Sequence, residues 1–290
     1  MRVISLGSGS SGNALLVEAG PGGRTKLLID AGLNGRLLTD RLRQVGVAPT
    51  QLHGIFLTHE HSDHIIGLPT MMKRYTIPVL ADERTLAAVA QSFATNTLRT
   101  DSGARVSSET SEKVPFAVGS CRVIGDIEVC SFPVSHDAVA PCGYLLSASG
   151  CRVCVAIDSG EVTPAMLEMM GQADLLVIES NHDRERLLRG PYPQLLKQRI
   201  LSPTGHLSND QAADAVLRTW RADGLRWLWL SHLSRTNNTS QLALSNMRSR
   251  IQSARANLAQ VHISVLPPGL GATWDSTQLW RMPSLWEMQG

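Results

Sequence analysis

The chain has 290 residues, 43% hydrophobic and 18% charged, enough to bury a large core as one or two domains. Its formal net charge of +2 is too small to announce a polyanionic partner, and no apolar stretch approaches the roughly 20 residues that a membrane helix requires. The opening Met1-Arg2-Val3-Ile4-Ser5-Leu6 breaks into glycine and serine too early for a secretory signal, so the expected location is the cytoplasm.

In chain order the pattern alternates strands and helices without short-period repeats or a low-complexity linker, and residues 1–290 are assigned to one domain. Leu33, Leu37, Leu38, Leu42 and Val45 mark a first amphipathic helix, followed by a buried strand over Gly54–Thr58. Asp82 is placed to cap a helix carrying Leu86, Val89 and Phe93. From Val114 to Asp158 strand-like runs dominate, with turns at Gly119-Ser120, Gly125-Asp126 and Ser149-Gly150, and this stretch reads as an antiparallel meander. A helix near Pro164–Met170 precedes the buried run Leu175-Leu176-Val177-Ile178, which ends at Glu179. Ser208 and Gln211 form a capping box that opens a helix with Ala212, Val216, Leu217 and Trp220 on one face and Gly224 as its stop. Ser240 is read as the cap of a helix carrying Leu244, Met247 and Ile251, before a last strand over Val261–Leu266. Cys151 and Cys154 lie three apart in a strand pattern and so face opposite ways; all five cysteines are read as reduced packing residues.

The most chemically loaded stretch is Thr58-His59-Glu60-His61-Ser62-Asp63-His64, at the end of the Gly54–Thr58 run. In extended backbone, His59 and His61 leave the same face. If the chain turns helical near Ile65, Asp63 and His64 can serve a second ion, and paired hydrolytic ions sit roughly 3.5–4 Å apart. Imidazole and carboxylate together suit zinc first, with manganese or iron also compatible. Three further strand-like runs end in a potential ligand: Ile127–Val134 before His136, Cys151–Ile157 before Asp158, and Arg226–Leu230 before His232. Taken singly, each is more readily a hydrogen-bonded structural residue; together with the first motif they point to a metal centre.

With the signature His59-x-His61-x-Asp63-His64 and the order His136, Asp158, His232, the chain resembles a metallo-beta-lactamase-fold hydrolase over nearly all its length. That resemblance implies a four-layer αβ/βα sandwich of two mixed sheets flanked by helices, with the site along one rim. It further implies that His59, His61 and His136 hold one divalent transition metal, Asp63, His64 and His232 a second, and that Asp158 bridges them. His206, which precedes a helix cap rather than following a strand, ranks second as the seventh ligand. Within the superfamily, Gly7-Ser8-Gly9-Ser10-Ser11-Gly12-Asn13, Glu179-Ser180-Asn181-His182-Asp183, Gly205-His206-Leu207-Ser208-Asn209 and His232-Leu233-Ser234 before Asn237-Asn238 resemble the WalJ/YycJ-like subgroup, which is associated with exonuclease activity on DNA. His61 is not the glutamate of a flavodiiron site, and the span from Asp158 to His232 is too short for the inserted domain of ribonuclease J relatives.

The resemblance leads to a metal-dependent phosphodiesterase acting on nucleic acid, DNA favoured, in which the metals ionise a water near neutral pH. Asp63 would also steer the nucleophile's proton, while His182 and His206 would donate a proton to the leaving group or clamp a phosphate oxygen, or else orient ligands from behind. The alternatives are a hydrolase of a small cyclic phosphodiester, thioester or lactone on the same metals, and a non-catalytic metal-binding module. Arg184, Arg186, Arg189, Lys197 and Arg199 form a local basic cluster suited to a phosphate backbone, or simply a solvated surface. His53 and His262 read as structural.

Overall fold

The computed structural model describes residues 1–95, 111–221 and 225–280. The first sheet holds β1 (Arg2–Gly7), β2 (Ala14–Ala19), β3 (Thr25–Ile29), β4 (Gly54–Phe56), β5 (Val79–Ala81) and β6 (Lys113–Pro115) side by side in chain order. The second holds β7 (Cys121–Ile124), β8 (Ile127–Pro133), β9 (Cys142–Ala148), β10 (Cys151–Ala156), β11 (Leu175–Glu179), β12 (Arg226–Ser231) and β13 (Val261–Val265), likewise in order. β14 (Thr273–Asp275) returns to the outer edge of β1. Each sheet begins antiparallel and becomes parallel: the switch falls between β3 and β4 in the first and between β10 and β11 in the second.

Continuous apolar runs are what a sheet buried on both faces requires. Leu27 and Ile29 of β3 face the other sheet while Leu28 faces out; Leu175 and Val177 of β11 face in while Leu176 and Ile178 face out. The inward sets meet around Phe56, Tyr144 and Trp274. Outside the first sheet, Leu38 and Leu42 of α1 (Gly35–Gln44), the short α2 (Ser62–Ile65), Met71 and Met72 of α3 (Leu68–Arg74), and Leu86 and Val89 of α4 (Glu83–Ala94) close a second core. Outside the second sheet, α5 (Pro164–Met170), α8 (Asn209–Arg218) and α9 (Ser240–Ser253) close a third, while α6 (Arg184–Arg189) and α7 (Gln194–Leu201) lie between β11 and α8 in the chain. The result is the four-layer αβ/βα arrangement implied by the resemblance.

Local capping follows the sequence closely. Asp82 accepts from Arg84 N, and Ser208 with Gln211 forms the capping box. The cap of α9 is Thr239, whose Oγ1 accepts from Leu242 N, one residue before the Ser240 read from sequence. Gly224, the expected stop of the preceding helix, lies outside the described residues.

Three expectations need correction. Lys113–Pro115 is not part of the meander: it pairs parallel with β5 at the edge of the first sheet, and the chain crosses to the second sheet only afterwards. The cysteines are not all reduced. Cys121 and Cys130 are directly opposed across the β7–β8 hairpin and form a disulfide, whereas Cys142, Cys151 and Cys154 are free and buried. A pair nine residues apart meets because the Gly125-Asp126 turn sets the hairpin register, which no count of cysteines conveys. Finally, Lys197 is no surface charge, since it is buried with Nζ donating to Leu188 O.

Candidate metal centre

The polar residues of the rim follow the carboxyl ends of the parallel strands, where the backbone leaves each sheet. Asp30 comes after β3, His59 after β4, Asp158 after β10, and His232 after β12, while Glu179 is the last residue of β11. Asp30, Asp158 and His232 share a left-handed backbone, with φ of 60°, 53° and 53°. That conformation is uncommon outside glycine and turns each side chain sharply off its strand axis. His61 caps α2 at extended φ and ψ, and the helix then carries Asp63 and His64 to the same side as His59.

Seven side chains predicted from sequence converge. Ligating atoms of His59, His61 and His136 lie within 4.8 Å of one another, as do those of Asp63, His64 and His232, and those of His59, His64 and Asp158. A further group of the same tightness joins Asp158, Glu179, His206 and His232. Asp158 oxygens come within 2.7 Å of His64 Nε2, 3.1 Å of His232 Nδ1 and 3.2 Å of His206 Nδ1. Both Asp158 oxygens, and separately His59 Nε2, are buried polar atoms with no well-formed hydrogen bond among the described residues. Orphaned donors and acceptors in a sealed site are costly unless a cation completes them, and imidazole plus carboxylate is the donor set such a cation takes.

Outer contacts fix which ring nitrogen faces the site. His64 Nδ1 is 2.8 Å from Asp30 Oδ2, and Asp30 is itself held by Thr58 N at 2.8 Å and Thr58 Oγ1 at 2.9 Å, which leaves His64 Nε2 inward. His136 Nδ1 is 3.0 Å from the Gly205 carbonyl, leaving Nε2 inward beside His61. The glycine-serine loop before β2 also braces the rim: Ser8 Oγ accepts from His232 N at 2.9 Å, and Asn13 Nδ2 lies 3.1 Å from His64 Nε2. Behind His64, Gly32 is pressed so tightly on Asp63 that a Cβ would fall 1.7 Å from its carbonyl oxygen, so only glycine fits there.

The charges are arranged as a mutually neutralising cluster. Burial would raise the Asp63 carboxyl, but His64 and His232 hold it down at about 2. Burial likewise opposes ionisation of Glu179, yet His206 and His232 hold it at about 2. His206 is raised to about 10 against burial, because Glu179 and Asp158 stabilise its proton. Burial, with His64 adding to it, drives His59 well below the usual histidine range, so its ring is neutral and free to ligate.

His206 lines the cavity that opens on the site, together with His59, His61, Asp63, His136, Asp158 and His232. His182 does not. It is fully buried, both its ring nitrogens lack hydrogen-bond partners among the described residues, and burial lowers it to about 4. His53 Nδ1 accepts from Lys26 N, and His262 stacks on Trp227. Sequence reasoning assigned no role to Asp30 or to the Glu179–His206 contact of 2.7 Å. The signal for Asp30 was available, since it too ends an apolar run, Leu27-Leu28-Ile29.

A family model described as the beta-lactamase superfamily domain matches residues 25–223. The chain belongs to the beta-lactamase superfamily. As a superfamily member it is a metal-dependent hydrolase. It is 38% identical to the exodeoxyribonuclease WalJ of Streptococcus pneumoniae over 249 residues, covering 86% of this chain and 87% of that one. It is also 38% identical to the exodeoxyribonuclease YycJ of Bacillus anthracis, covering 82% of this chain and 84% of that one. Among solved structures, zinc-bound PqqB from Methylobacterium extorquens superposes with a TM-score of 0.67 at 17% identity, over 95% of this chain and 100% of that one. The metallo-beta-lactamase fold protein YhfI from Bacillus subtilis gives 0.65 at 19%, over 94% and 98%. Those two likenesses speak to the fold of this superfamily member.

Proposed function

We propose that this chain is a dinuclear phosphodiesterase that removes nucleotides from DNA. The observation that carries the reading is the convergence of seven donors around buried atoms with no other partner. His59, His61 and His136 would hold one ion, Asp63, His64 and His232 the other, with Asp158 between them; zinc or manganese suits these donors. Bound there, the metals supply a nucleophilic water at neutral pH and neutralise charge on the phosphoryl oxygens.

The remaining work falls to the chain's own groups. Asp63, partly open to the cavity, would steer the proton of the attacking water. His206, held protonated by Glu179 at 2.7 Å, gives its Nε2 proton to the leaving oxygen, as a general acid that lines the cavity must. Asp30 and the Gly205 carbonyl keep His64 and His136 in the ligating tautomer. DNA is favoured over other phosphodiesters because two relatives named exodeoxyribonucleases match most of the chain. We place the reaction in the cytoplasm; no helix among the described residues is long and apolar enough to cross a membrane.

The test is elemental analysis of chelator-free protein alongside digestion of end-labelled single-stranded DNA. About two ions per chain and stepwise shortening are expected, and His206→Ala should slow shortening about 10²- to 10⁴-fold with metal content unchanged. Protein that binds no ion when metal is abundant would sink the reading. A cavity of about 260 Å³ also admits a small cyclic phosphodiester. Turnover of that substrate insensitive to added salt, with DNA untouched, would favour the second reading.

A further inference from the structure

One wall of the site cavity is built from the α6–α7 region and is used by nothing described so far. Tyr192 and Leu196 line it, and both are half-buried. Tyr192 stands between Pro191 and Pro193, which restrict the backbone on either side and present the ring with little conformational freedom to lose. Arg199, one turn after Leu196 in α7, also lines the cavity. Its Nε donates to Asp137 Oδ2 at 2.6 Å, and Asp137 Oδ1 lies 3.5 Å from His136 Nε2. The guanidinium is thereby held beside the metal-ligand cluster, and among the described residues no hydrogen bond occupies its terminal nitrogens, which are free to take an anion.

An aromatic ring, an aliphatic side chain and a fixed guanidinium at one wall match the base and phosphate of a single nucleotide. The cavity, about 260 Å³, is at the small end for ligand sites and suits one small group such as a terminal nucleotide better than a larger ligand.

Building on the DNA phosphodiesterase reading, we propose that Tyr192, Leu196 and Arg199 form the subsite for the terminal nucleotide of a single strand, Tyr192 and Leu196 packing on the base and Arg199 binding a phosphate. The wall then selects an unpaired end, and this is why the enzyme would act as an exonuclease.

The test uses the metal-loaded full-length chain on two single-stranded oligonucleotides, one with an ordinary terminal nucleotide and one whose terminal nucleotide is abasic. Removing a base–aromatic stack raises KM by roughly 5- to 100-fold. Tyr192→Ala should therefore raise KM on the ordinary strand by that factor, with kcat within about threefold, while KM on the abasic strand stays as in wild type. Tyr192→Phe should restore wild-type KM, and Arg199→Ala should raise KM on both strands. Metal content and anisotropy-measured binding of the ordinary strand in chelator give readouts independent of turnover: the first stays constant, the second weakens in Tyr192→Ala. Equal effects of Tyr192→Ala on both strands, or none, overturn the subsite while the wild type still degrades DNA. Wild type that degrades neither strand overturns the underlying reading instead.

Discussion

Two cavities open at opposite ends of the second sheet. The one at the amino ends of β10, β11 and β12 is the larger, about 640 Å³, and charged residues line it. Three of those charges are answered within the protein: Arg221 pairs with Asp174 at 3.1 Å, Asp174 also accepts from the Arg152 backbone N at 2.8 Å, and Asp126 pairs with Arg24 at 2.6 Å. The cavity at the carboxyl ends is less than half that size, yet it contains carboxylate oxygens and a ring nitrogen that lack a well-formed hydrogen bond among the described residues. Unmet hydrogen-bonding capacity under burial, and not open volume, separates the end proposed to do chemistry from the end that is merely concave.

The sharpest way to break that contrast is at Asp158. Asn tolerates the left-handed backbone there better than Ala does, so Asp158→Asn removes the charge with little strain. We expect loss of several kcal/mol of transition-state stabilisation, on the order of 10³-fold in rate, together with reduced metal content and an unchanged circular dichroism spectrum. Activity within tenfold of wild type would refute the proposed place of Asp158 between the ions. Next in size is Asp30→Asn, which removes the negative charge facing His64 Nδ1 and leaves one oxygen for the donors of Thr58 and His64, and it should weaken metal binding by about 10- to 100-fold in a competition titration.

At the other end the expectation reverses. Asp174→Asn should cost about 1–3 kcal/mol of stability in urea unfolding while leaving the rate unchanged. A fall in rate would give the larger cavity a role that its paired charges argue against. The smallest effect is expected at Asp126, whose carboxyl the Arg24 and Thr25 hydrogen bonds hold at about 2. Because the folded value is depressed, the stabilisation is complete above the ordinary carboxylate range and fades as pH falls toward 2. Asp126→Asn should therefore lower Tm slightly at pH 6, and the difference should close between about pH 4 and 2. A gap that widens on acidification would be the wrong sign.

How much of this was legible in the sequence depends on whether a residue's role is local. Asp82 and the Ser208–Gln211 pair cap helices through neighbours two or three residues away, and the text of the chain conveys them. His59, His61, Asp63 and His64 are equally plain because one loop carries them, and His136, Asp158 and His232 are marked by the apolar runs they follow. Asp30 ends such a run too, but its partner His64 is 34 residues on, so only the fold shows which ring it orients. Glu179 and His206 meet 27 residues apart for the same reason. Pairing across a sheet is harder still: Lys113–Pro115 had the right secondary structure and the wrong neighbour, and Cys121 met Cys130 through hairpin register alone.

The shared left-handed backbone at positions 30, 158 and 232 has a consequence for anyone evolving this enzyme toward heat tolerance. Each is a place where glycine relieves conformational cost, of order 1 kcal/mol or more, and each glycine deletes a side chain of the rim. A screen that rewards only survival of the fold does not register the loss of such a side chain, so these three sites should be frozen before any library is drawn.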